Sequence, residues 1–432
     1  MASVDRLSAL PDHVLCHILS FLPTKTSVKT SILSTRWSFI WAHVPTLDFH
    51  HKDYHTATYL PNIVSRVMSL HKVQTLDSLR LIFQDCSDFE LETLIIIAKS
   101  RNVRNLDIEV DSEYTLPRRL FTFTTLVRLT LSGFPCIYKT GGDVHLPRLK
   151  RLHLDYLLFQ VDEDLPRLLS GCPVLEDLTL DLVRFSKKKL GCFNVSSSAL
   201  KRLTITVIGS NYLDSRVEIN APALRYLKVC CWSSSISVSP MTSLIEADID
   251  MSFRLTDDHY ISRMKFLNYL CHVKCLSLRA KYDEEFVDMA LAGPMVRFDN
   301  LTKLVYGSVG DWHLFGKLLK VANNLKVLTV SKFPVLGSKD TYRWWEEPGQ
   351  VPACLSSHLR TIRISGMSAV ESEQRNMVRY LLENAKVLKR MEIYLKCRSG
   401  SLSKQRSKLV EFLSSFVRAS QACELVIRRD NK

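Results

Sequence analysis

Two groups of histidine and cysteine residues have spacings that raise the question of a metal site. They are Cys271, His272 and Cys275, and His50, His51 and His55. A structural zinc site needs four ligands, usually as two closely spaced pairs, and neither group has a second pair at such spacing. We interpret these residues as core or surface residues, and we expect no metal and no cofactor.

Strings typical of catalysis or phosphate binding are missing from the sequence. It contains no GxGxxG, P-loop, HExxH or GxSxG pattern. The 12 cysteines include the adjacent Cys230 and Cys231 but no CxxC pair, and nothing singles out one of them as a nucleophile. We therefore expect that the chain is not an enzyme.

Composition indicates a folded protein in a reducing compartment. The chain has 432 residues, of which 46% are hydrophobic and 24% charged, an ordinary balance for a globular protein. The N-terminus reads MASVDRLSAL and has no apolar core of a signal peptide, and the apolar run LETLIIIA at 91–98 is too short to span a membrane. Twelve cysteines in a chain of this size are expected to be reduced. We predict a cytoplasmic or nuclear protein, or both, with no membrane association.

The formal net charge of +14 is concentrated near the C-terminus. Residues 353–432 contain 16 Lys and Arg against 7 Asp and Glu. Such a surplus raises the question of nucleic-acid binding, but the basic stretch KCRSGSLSKQRSK at 396–408 lacks the interleaved aromatic residues that single-strand binding usually needs. We do not expect nucleic acid as the main partner.

Residues 10–45 predict three short helices. They read LPDHVLCHILSFLPTKTSVKTSILSTRWSFIWAHVP. Pro11 and Asp12 suit the first turn of a helix that Pro23 must end. Apolar residues recur on one face of this helix at Val14, Leu15, Ile18, Leu19 and Leu22.

The next two helices are predicted from capping residues and from a pair of tryptophans. Thr24 can cap the second helix, and Ser34 can cap the third. Trp37 and Trp41 are four residues apart and are expected to share a face of the third helix. Three short helices are too small to bury two tryptophans and this many aliphatic residues, so another domain or protein should cover part of the surface.

This stretch resembles the F-box. The match consists of Leu10, Pro11, Val14, Leu15, Ile18 to Pro23, Thr24, Lys25, Thr30, Ser31, Leu33, Ser34, Arg36, Trp37 and Trp41. It departs only slightly, with Ser27 where alanine is common and Thr35 where lysine is usual in plant members. The resemblance implies docking on the Skp-type adaptor of a cullin-RING ubiquitin ligase. The residues expected to bind the adaptor are Leu10, Pro11, Val14, Leu15, Ile18, Leu19, Leu22, Leu33, Trp37 and Trp41.

A repeated unit, an apolar residue followed by two variable residues and Leu-x-Leu, fills the middle of the chain. Its fourth residue falls at 79, 106, 129, 152, 178, 203 and 227, with gaps of 23 to 27 residues. It continues through an irregular unit with Ala247 to 276, 304, 328, 362 and 391. These spacings are typical of leucine-rich repeats, whose leucines point into a stack of parallel strands. We expect a curved solenoid, irregular because asparagine is mostly missing from its usual repeat position.

The outward residues of these strands are the expected target-binding face. We predict that Arg128, Arg151, His153, Asp177, Arg202, Tyr226 and Lys228 contribute to it. Taken singly, each of these residues is also compatible with ordinary solvated surface. Related plant receptors bind small hormones on such solenoids, so a small-molecule co-ligand is left open.

Two further segments resemble plant F-box proteins. LLSGCPVLEDLTL at 168–180 is similar to a signature of members with leucine-rich repeats. The C-terminal order of strands and helices resembles the FBD domain, with its match at Trp344, Trp345, Pro348, Val351, Pro352, Cys354, Leu355, Asn384, Ala385, Val387, Leu388 and Met391. We predict strands at 359–365, 388–396 and 423–428, with helices at 371–384 and 404–419. This domain is expected to cap the repeat stack.

The sequence therefore predicts an α/β chain with three parts. These are a three-helix F-box at 5–50, an irregular leucine-rich-repeat solenoid at 51–343 and a C-terminal α/β FBD domain at 344–432. The expected function is a non-catalytic substrate receptor that docks on a Skp-type adaptor, and through it on a cullin, and binds an unknown target protein. One alternative is a basic repeat scaffold that binds nucleic acid or an acidic ligand. Another is an F-box protein that binds the adaptor without directing degradation.

Overall fold

The chain divides into two compact units, residues 1–209 and 210–432, in a computed structural model. The structure describes residues 6–54, 60–111, 114–133, 136–138, 143–159, 161–183, 191–208, 216–231, 235–251, 265–281, 295–309, 313–332, 347–367, 372–396 and 402–430. Within these ranges both units contain strands and helices, which confirms the predicted α/β class.

The α-helices occur at the N-terminus and between strands. In the first unit they are α1 Asp12–Leu19, α2 Thr24–Lys29, α3 Leu60–Leu70, α4 Asp88–Ser100 and α5 Asp164–Ser170. In the second unit they are α6 His313–Val321, α7 Ala353–Ser357, α8 Ser372–Asn384 and α9 Leu402–Ser414. Short 3-10 helices span Thr30–Ile32, Trp37–His43, His51–Asp53 and Arg118–Thr122.

One strand recurs at the spacing of the repeated unit, and shorter strands lie between some of these strands. The first unit contains β1 Thr46–His50, β2 Ser78–Phe83, β3 Asn105–Val110, β4 Tyr114–Thr115, β5 Arg128–Gly133, β6 Cys136–Tyr138, β7 Arg151–Asp155, β8 Leu157–Phe159, β9 Asp177–Val183, β10 Cys192–Ser196 and β11 Arg202–Ile208. The second contains β12 Arg216–Asn220, β13 Tyr226–Cys231, β14 Ser235–Val238, β15 Glu246–Met251, β16 Cys275–Lys281, β17 Lys303–Val309, β18 Val327–Lys332, β19 Thr361–Met367, β20 Arg390–Leu395 and β21 Glu424–Arg429.

The first unit contains a parallel sheet whose register matches the repeat alignment. Its strand order is β1-β2-β3-β5-β7-β9-β11. The fourth residue of every repeat lies opposite the fourth residue of the next, as Leu79 lies opposite Leu106. Leu47 of β1 extends this buried leucine row by one strand before the first predicted repeat. The register of the strands therefore follows the Leu-x-Leu spacing of the sequence.

The second unit contains a parallel sheet built in the same way. Its strands run in the order β13-β15-β16-β17-β18-β19-β20-β21. The irregular unit keeps register, because Ala247 lies between Leu227 and Leu276. Pairing of β18 with β19 carries the row from the predicted repeats into the predicted FBD domain, and the row ends at Leu425.

Backbone carbonyls connect the starts of neighbouring strands. The carbonyl of Arg104 accepts hydrogen bonds from the amides of Val127 and Arg128. The same pair of hydrogen bonds to one carbonyl recurs at most later strands. These bonds satisfy backbone groups that would otherwise be unpaired. The irregularity of the repeats lies in the connections instead: α4 and α5 follow β2 and β8, whereas β4, β6 and β8 form a small parallel sheet.

The predicted C-terminal elements are confirmed with small shifts of their ends. The two predicted helices correspond to α8 and α9, and the three predicted strands to β19, β20 and β21.

The predicted turn in the segment 168–180 has glycine at position 171 for a steric reason. A Cβ on Gly171 would lie 2.4 Å from the carbonyl oxygen of Val144, so no larger residue fits without movement.

Candidate protein-docking sites

A small apolar core holds the N-terminal helices together. Helix α1 follows Pro11, and its Leu15 and Leu19 are buried against Trp37, Ile40 and Val44. Cys16 contributes a hydrogen bond from its thiol to the carbonyl of Ile40 at 3.6 Å. The core thus joins α1 to the segment that follows α2.

The two tryptophans are buried within the chain itself. They lie in a 3-10 helix and not in the predicted α-helix. In a 3-10 helix, residues three apart share a side. Trp37 is 3% exposed and Trp41 8%. The indole N–H of Trp37 donates to the hydroxyl of Ser8 at 3.0 Å, and that of Trp41 donates to the carbonyl of Ser38 at 3.1 Å. The apolar surface that was expected to need cover by another domain or protein is therefore formed by other residues and not by the tryptophans.

Both predicted helix caps are wrong. Thr24 is the first residue of α2, and its hydroxyl accepts a hydrogen bond from the amide of Asp48 at 2.8 Å. Ser34 contributes its carbonyl, not its side chain, to the amide of Trp37. Thr24 instead ties the helices to β1, as does Thr46, whose hydroxyl donates to the carbonyl of Ser20 at 3.0 Å.

Arg36 fixes the segment that precedes α1. Its guanidinium donates to the carbonyls of Ser8 and Leu10 and to the carboxylate of Asp12 at 2.7 Å. Leu10 and Pro11 are therefore held in place by Arg36, which belongs to the F-box match but is not a predicted adaptor-binding residue. The sequence feature that could have identified Arg36 as a positioning residue is its place between a polar turn and the buried Trp37.

Large apolar side chains remain exposed around this core. We use the name N-terminal apolar surface for Phe21, Leu22, Ile32, Leu33 and Phe39. Ile32 is 87% exposed and Phe21 75%, which is unusual for side chains of this size. Phe21, Ile32 and Phe39 were not among the predicted adaptor-binding residues, although Phe21 lies within the F-box match.

The predicted adaptor-binding residues separate into two sets. Leu15, Leu19, Trp37 and Trp41 are buried and hold the helices together. The other predicted residues are half-buried or exposed, and they are Leu10, Pro11, Val14, Ile18, Leu22 and Leu33. Only this second set can offer side chains to another molecule in this conformation.

A groove of about 600 Å³ adjoins the N-terminal apolar surface. It is lined by Asp12, His13, Cys16, His17, Arg36, Phe39, Ile40, His43 and Pro45. The His17 ring meets the Phe21 ring edge to face with centroids 5.0 Å apart, which connects the groove to the exposed phenyl group. Burial raises the pKa of the Cys16 thiol, and Asp12 adds to this effect, so the thiolate is disfavoured.

The N-terminal helices are also bonded to the first repeat. His71 follows α3, and its Nε2 lies 2.9 Å from the carbonyl of Val44. The amide of Lys72 donates to the carbonyl of Ala42, and that of Asp77 to the carbonyl of Pro45, both at 2.9 Å. These bonds join the docking helices to the repeat sheet of the same unit.

Five of the seven predicted target-binding residues lie on one face of the first sheet. Arg128, Arg151, Asp177 and Arg202 occupy the first positions of β5, β7, β9 and β11 and are in register. His153 lies two residues along β7, opposite Thr130 and Thr179. Tyr226 and Lys228 lie on β13 in the second unit, opposite Glu246 and Asp248.

Carboxylates on the same face change the titration of their neighbours. His153 Nε2 is 3.5 Å from a carboxylate oxygen of Asp181, and this contact raises the pKa of His153 despite partial burial. Burial raises the pKa of Asp155, and the neighbouring Asp181 adds to the effect. Burial also raises the pKa of Asp107, although Arg80 opposes this from 3.2 Å.

Three buried cysteines, two in the repeats and one in the FBD region, are poorly suited to nucleophilic chemistry. Burial raises the pKa of Cys86 and of Cys172 to about 12, and that of Cys354 to about 11. A reactive cysteine needs a stabilised thiolate, and these environments do the opposite. The described residues contain no group of three His, Cys, Asp or Glu that could hold a metal ion. His55, from one candidate group, lies outside the described residues.

The helices of the described ranges are short or carry many polar residues. None of them combines the length and the apolar character needed to cross a bilayer.

Three protein families match consecutive parts of the chain. The F-box domain matches residues 7–48, the LRR repeats of the FBD-associated F-box protein At5g56370 match 91–247, and FBD matches 346–393. The first two matches cover the apolar surface with its groove and most strands of the first sheet. These domain names are consistent with a non-catalytic adaptor protein.

Full-length relatives carry the same combination of domains in their names. The putative F-box/FBD/LRR-repeat protein At4g13965 of Arabidopsis thaliana is 32% identical over 99% of this chain and 98% of its own length. The F-box/FBD/LRR-repeat proteins At1g78750 and At5g22660 of the same plant are 32% and 30% identical, each over 98% of this chain and over 96% and 97% of their own lengths. The chain therefore belongs to the F-box/FBD/LRR-repeat protein family.

Proposed function

We propose that this chain is a substrate receptor of an SCF-type cullin-RING ubiquitin ligase. The F-box binds a Skp-type adaptor, the adaptor connects it to a cullin, and the repeats hold a target protein. The observation that carries the proposal is the N-terminal apolar surface, which lies on a module bonded to the repeat sheet. Family membership supports this role in general.

The adaptor contact is proposed to be apolar and centred on exposed side chains. It includes Leu10, Pro11, Val14, Ile18, Leu22 and Leu33 together with the newly found Phe21, Ile32 and Phe39. Fully burying one side chain such as Phe21 or Ile32 contributes about 1.5 to 3 kcal/mol. Leu15, Leu19, Trp37 and Trp41 serve the contact by holding the helices in place.

The receptor itself performs no chemistry in this proposal. A target bound to the repeats is kept near a ubiquitin-charged enzyme elsewhere in the complex, and the transfer becomes local instead of bimolecular. The bonds from Val44, Ala42 and Pro45 to the first repeat support this mechanism, because they fix the docking module relative to the first sheet.

The target is proposed to bind the outward face of the repeat strands. The candidate residues are Arg128, Arg151, His153, Asp177 and Arg202 in the first unit and Tyr226 and Lys228 in the second. We also propose the domain bounds 5–50, 51–343 and 344–432. Strand β1 lies inside the first of these ranges while pairing with β2, so the F-box and the repeats share a strand.

Co-purification with a Skp-type adaptor tests the proposal. The full chain should retain the adaptor, and the double change Leu10→Ala and Pro11→Ala should abolish retention while the repeats stay folded by circular dichroism. Retention by this double variant would reject the proposed contact. Failure of the unchanged chain to retain any Skp-type adaptor would reject the receptor function.

A further inference from the structure

Two arginines of the first sheet face each other across neighbouring strands. Arg128 on β5 and Arg151 on β7 are in register, and both are exposed. Neighbouring strands lie about 4.8 Å apart, and like charges directly opposite each other destabilise a sheet. Neither guanidinium has a carboxylate within 4.0 Å among the described residues. The register therefore places two like charges next to each other on adjacent strands.

The other arginines on this face are placed differently. Arg80 on β2 lies between Asp48 and Asp107 and contacts both, at 4.0 and 3.2 Å. Arg202 on β11 lies opposite Asp177, with a distance of 4.0 Å between Nε and the carboxylate. Arg80 and Arg202 therefore each have a carboxylate within 4.0 Å, which Arg128 and Arg151 lack among the described residues.

Nearby acidic residues are occupied by other cations. Glu176 feels the charge of Arg151, but its carboxylate is bound by Lys201 at 3.1 Å. Asp177 on β9 lies opposite Arg151, on the side away from Arg128, but its carboxylate is 4.0 Å from Nε of Arg202. Lys150, exposed and next to Arg151, adds further positive charge. The two arginines therefore lie in a locally basic area.

Negative charge returns further along the same strands. Asp155 lies opposite Asp181, four residues beyond Arg151, which corresponds to about 13 Å along a strand. This distance exceeds the screening length of about 8 Å at physiological salt. A nucleic-acid strand carries a phosphate for about every 3.4 Å of helix axis, so one that follows the strands would bring phosphates to the aspartates. A short acidic segment of a protein avoids the repulsion from Asp155 and Asp181, and Asp177, which is in register with Arg151, has Arg202 as its own cation within 4.0 Å.

We propose that Arg128 and Arg151 bind the carboxylates of an acidic segment in the target protein. The inference rests on the proposed function, in which the repeats hold a target, and it gives that target a chemistry. Guanidinium groups bind carboxylates through paired hydrogen bonds that a single lysine cannot match. A bound carboxylate between the two arginines also removes the repulsion that the free sheet retains.

Fluorescence anisotropy with the full chain tests the proposal. The probe is a labelled 12-residue Gly/Ser peptide with a central Glu-Glu pair, beside the same peptide with Gln-Gln and a single-stranded 12-nucleotide DNA. The variant is Arg128→Gln with Arg151→Gln. The matched control is Arg118→Gln with Arg167→Gln, which removes the same charge from exposed arginines off this face.

The Glu-Glu peptide should bind at least tenfold more tightly than the Gln-Gln peptide. This preference should be lost in the Arg128/Arg151 variant and kept within twofold in the control. Equal binding of both peptides, or equal loss in both variants, overturns the proposal. Tighter binding of the DNA, lost in the Arg128/Arg151 variant, would also overturn it and favour nucleic acid.

Thermal unfolding gives a readout that needs no ligand. Arg128→Gln should raise the melting temperature because it relieves the repulsion, whereas Arg80→Gln should lower it because it breaks two ion pairs. A lower melting temperature for Arg128→Gln would show that the arginine is structural. All variants should still co-purify with the adaptor, so failure of the receptor function is seen separately from failure of this site.

Discussion

The F-box and the repeat sheet place their apolar residues in opposite ways. In the first sheet the leucine row from Leu47 to Leu203 is buried and the outward positions are polar. In the F-box a core around Trp37 is equally buried, yet Phe21 and Ile32 lie in solvent. The repeats therefore bury their apolar residues by stacking on one another. The F-box keeps exposed apolar surface that only another molecule can cover.

The largest expected effect is loss of the F-box core. Trp37→Ala removes a buried indole and should cost about 3 to 5 kcal/mol, enough to detach α1 from the segment 37–43. Adaptor binding should be lost with it. Denaturant unfolding followed by tryptophan fluorescence, together with adaptor co-purification, measures both effects. A variant that still binds the adaptor would place the binding surface away from this core.

A substitution of an equally buried residue in the repeats should lower the stability of the first unit without lowering the affinity for the adaptor. Leu152→Ala should destabilise the first unit by about 2 to 5 kcal/mol, because it leaves a cavity in the leucine row. Below its unfolding transition the variant should keep its affinity for the adaptor. Calorimetric scanning and adaptor titration at 10 °C test this pair of outcomes. Loss of adaptor affinity while the variant stays folded would contradict the separation.

A smaller effect is expected from the residue that positions Leu10 and Pro11. Arg36→Gln removes the guanidinium that binds Ser8, Leu10 and Asp12, and these bonds are partly exposed. We expect an approximately tenfold loss of adaptor affinity, or about 1.4 kcal/mol, with little change in the melting temperature. Unchanged affinity would mean that the position of Leu10 is set by other contacts.

The smallest effect concerns pH and the repeat face. The pKa of His153 is raised from its usual 6.5 by Asp181, so the stabilisation is fully present below about pH 6.5 and is lost as pH rises through the folded-state pKa. This half-exposed pair should contribute less than about 1 kcal/mol. Asp181→Asn should flatten the pH dependence of unfolding between pH 6 and 8, and an unchanged profile would exclude the pair as its cause.

The repeats were predictable from sequence because their structure follows from one local pattern. Alternating leucines fix both the buried face and the register, so even the irregular unit with Ala247 could be aligned. The small sheet of β4, β6 and β8 was not predicted, because such short strands leave no pattern.

The F-box was less predictable because its details depend on tertiary contacts. Thr24 looks like a helix cap, but its hydroxyl binds the amide of Asp48, 24 residues away. Trp37 and Trp41 fit an α-helical spacing, yet the chain forms a 3-10 helix between Arg36 and Val44. The exposure of Phe21 and Ile32 could not be deduced either, since their residue types are those of a core.

A calorimetric titration of the full chain with a Skp-type adaptor tests the central claim most directly. The variant is Phe21→Ser with Ile32→Ser, and the matched control is Leu70→Ser with Phe89→Ser, exposed apolar residues outside the F-box. We predict at least a hundredfold loss of affinity for the first variant, about 2.7 kcal/mol, and less than twofold for the control. Equal affinities for the two variants would contradict the account, because the N-terminal apolar surface would then not be the adaptor site.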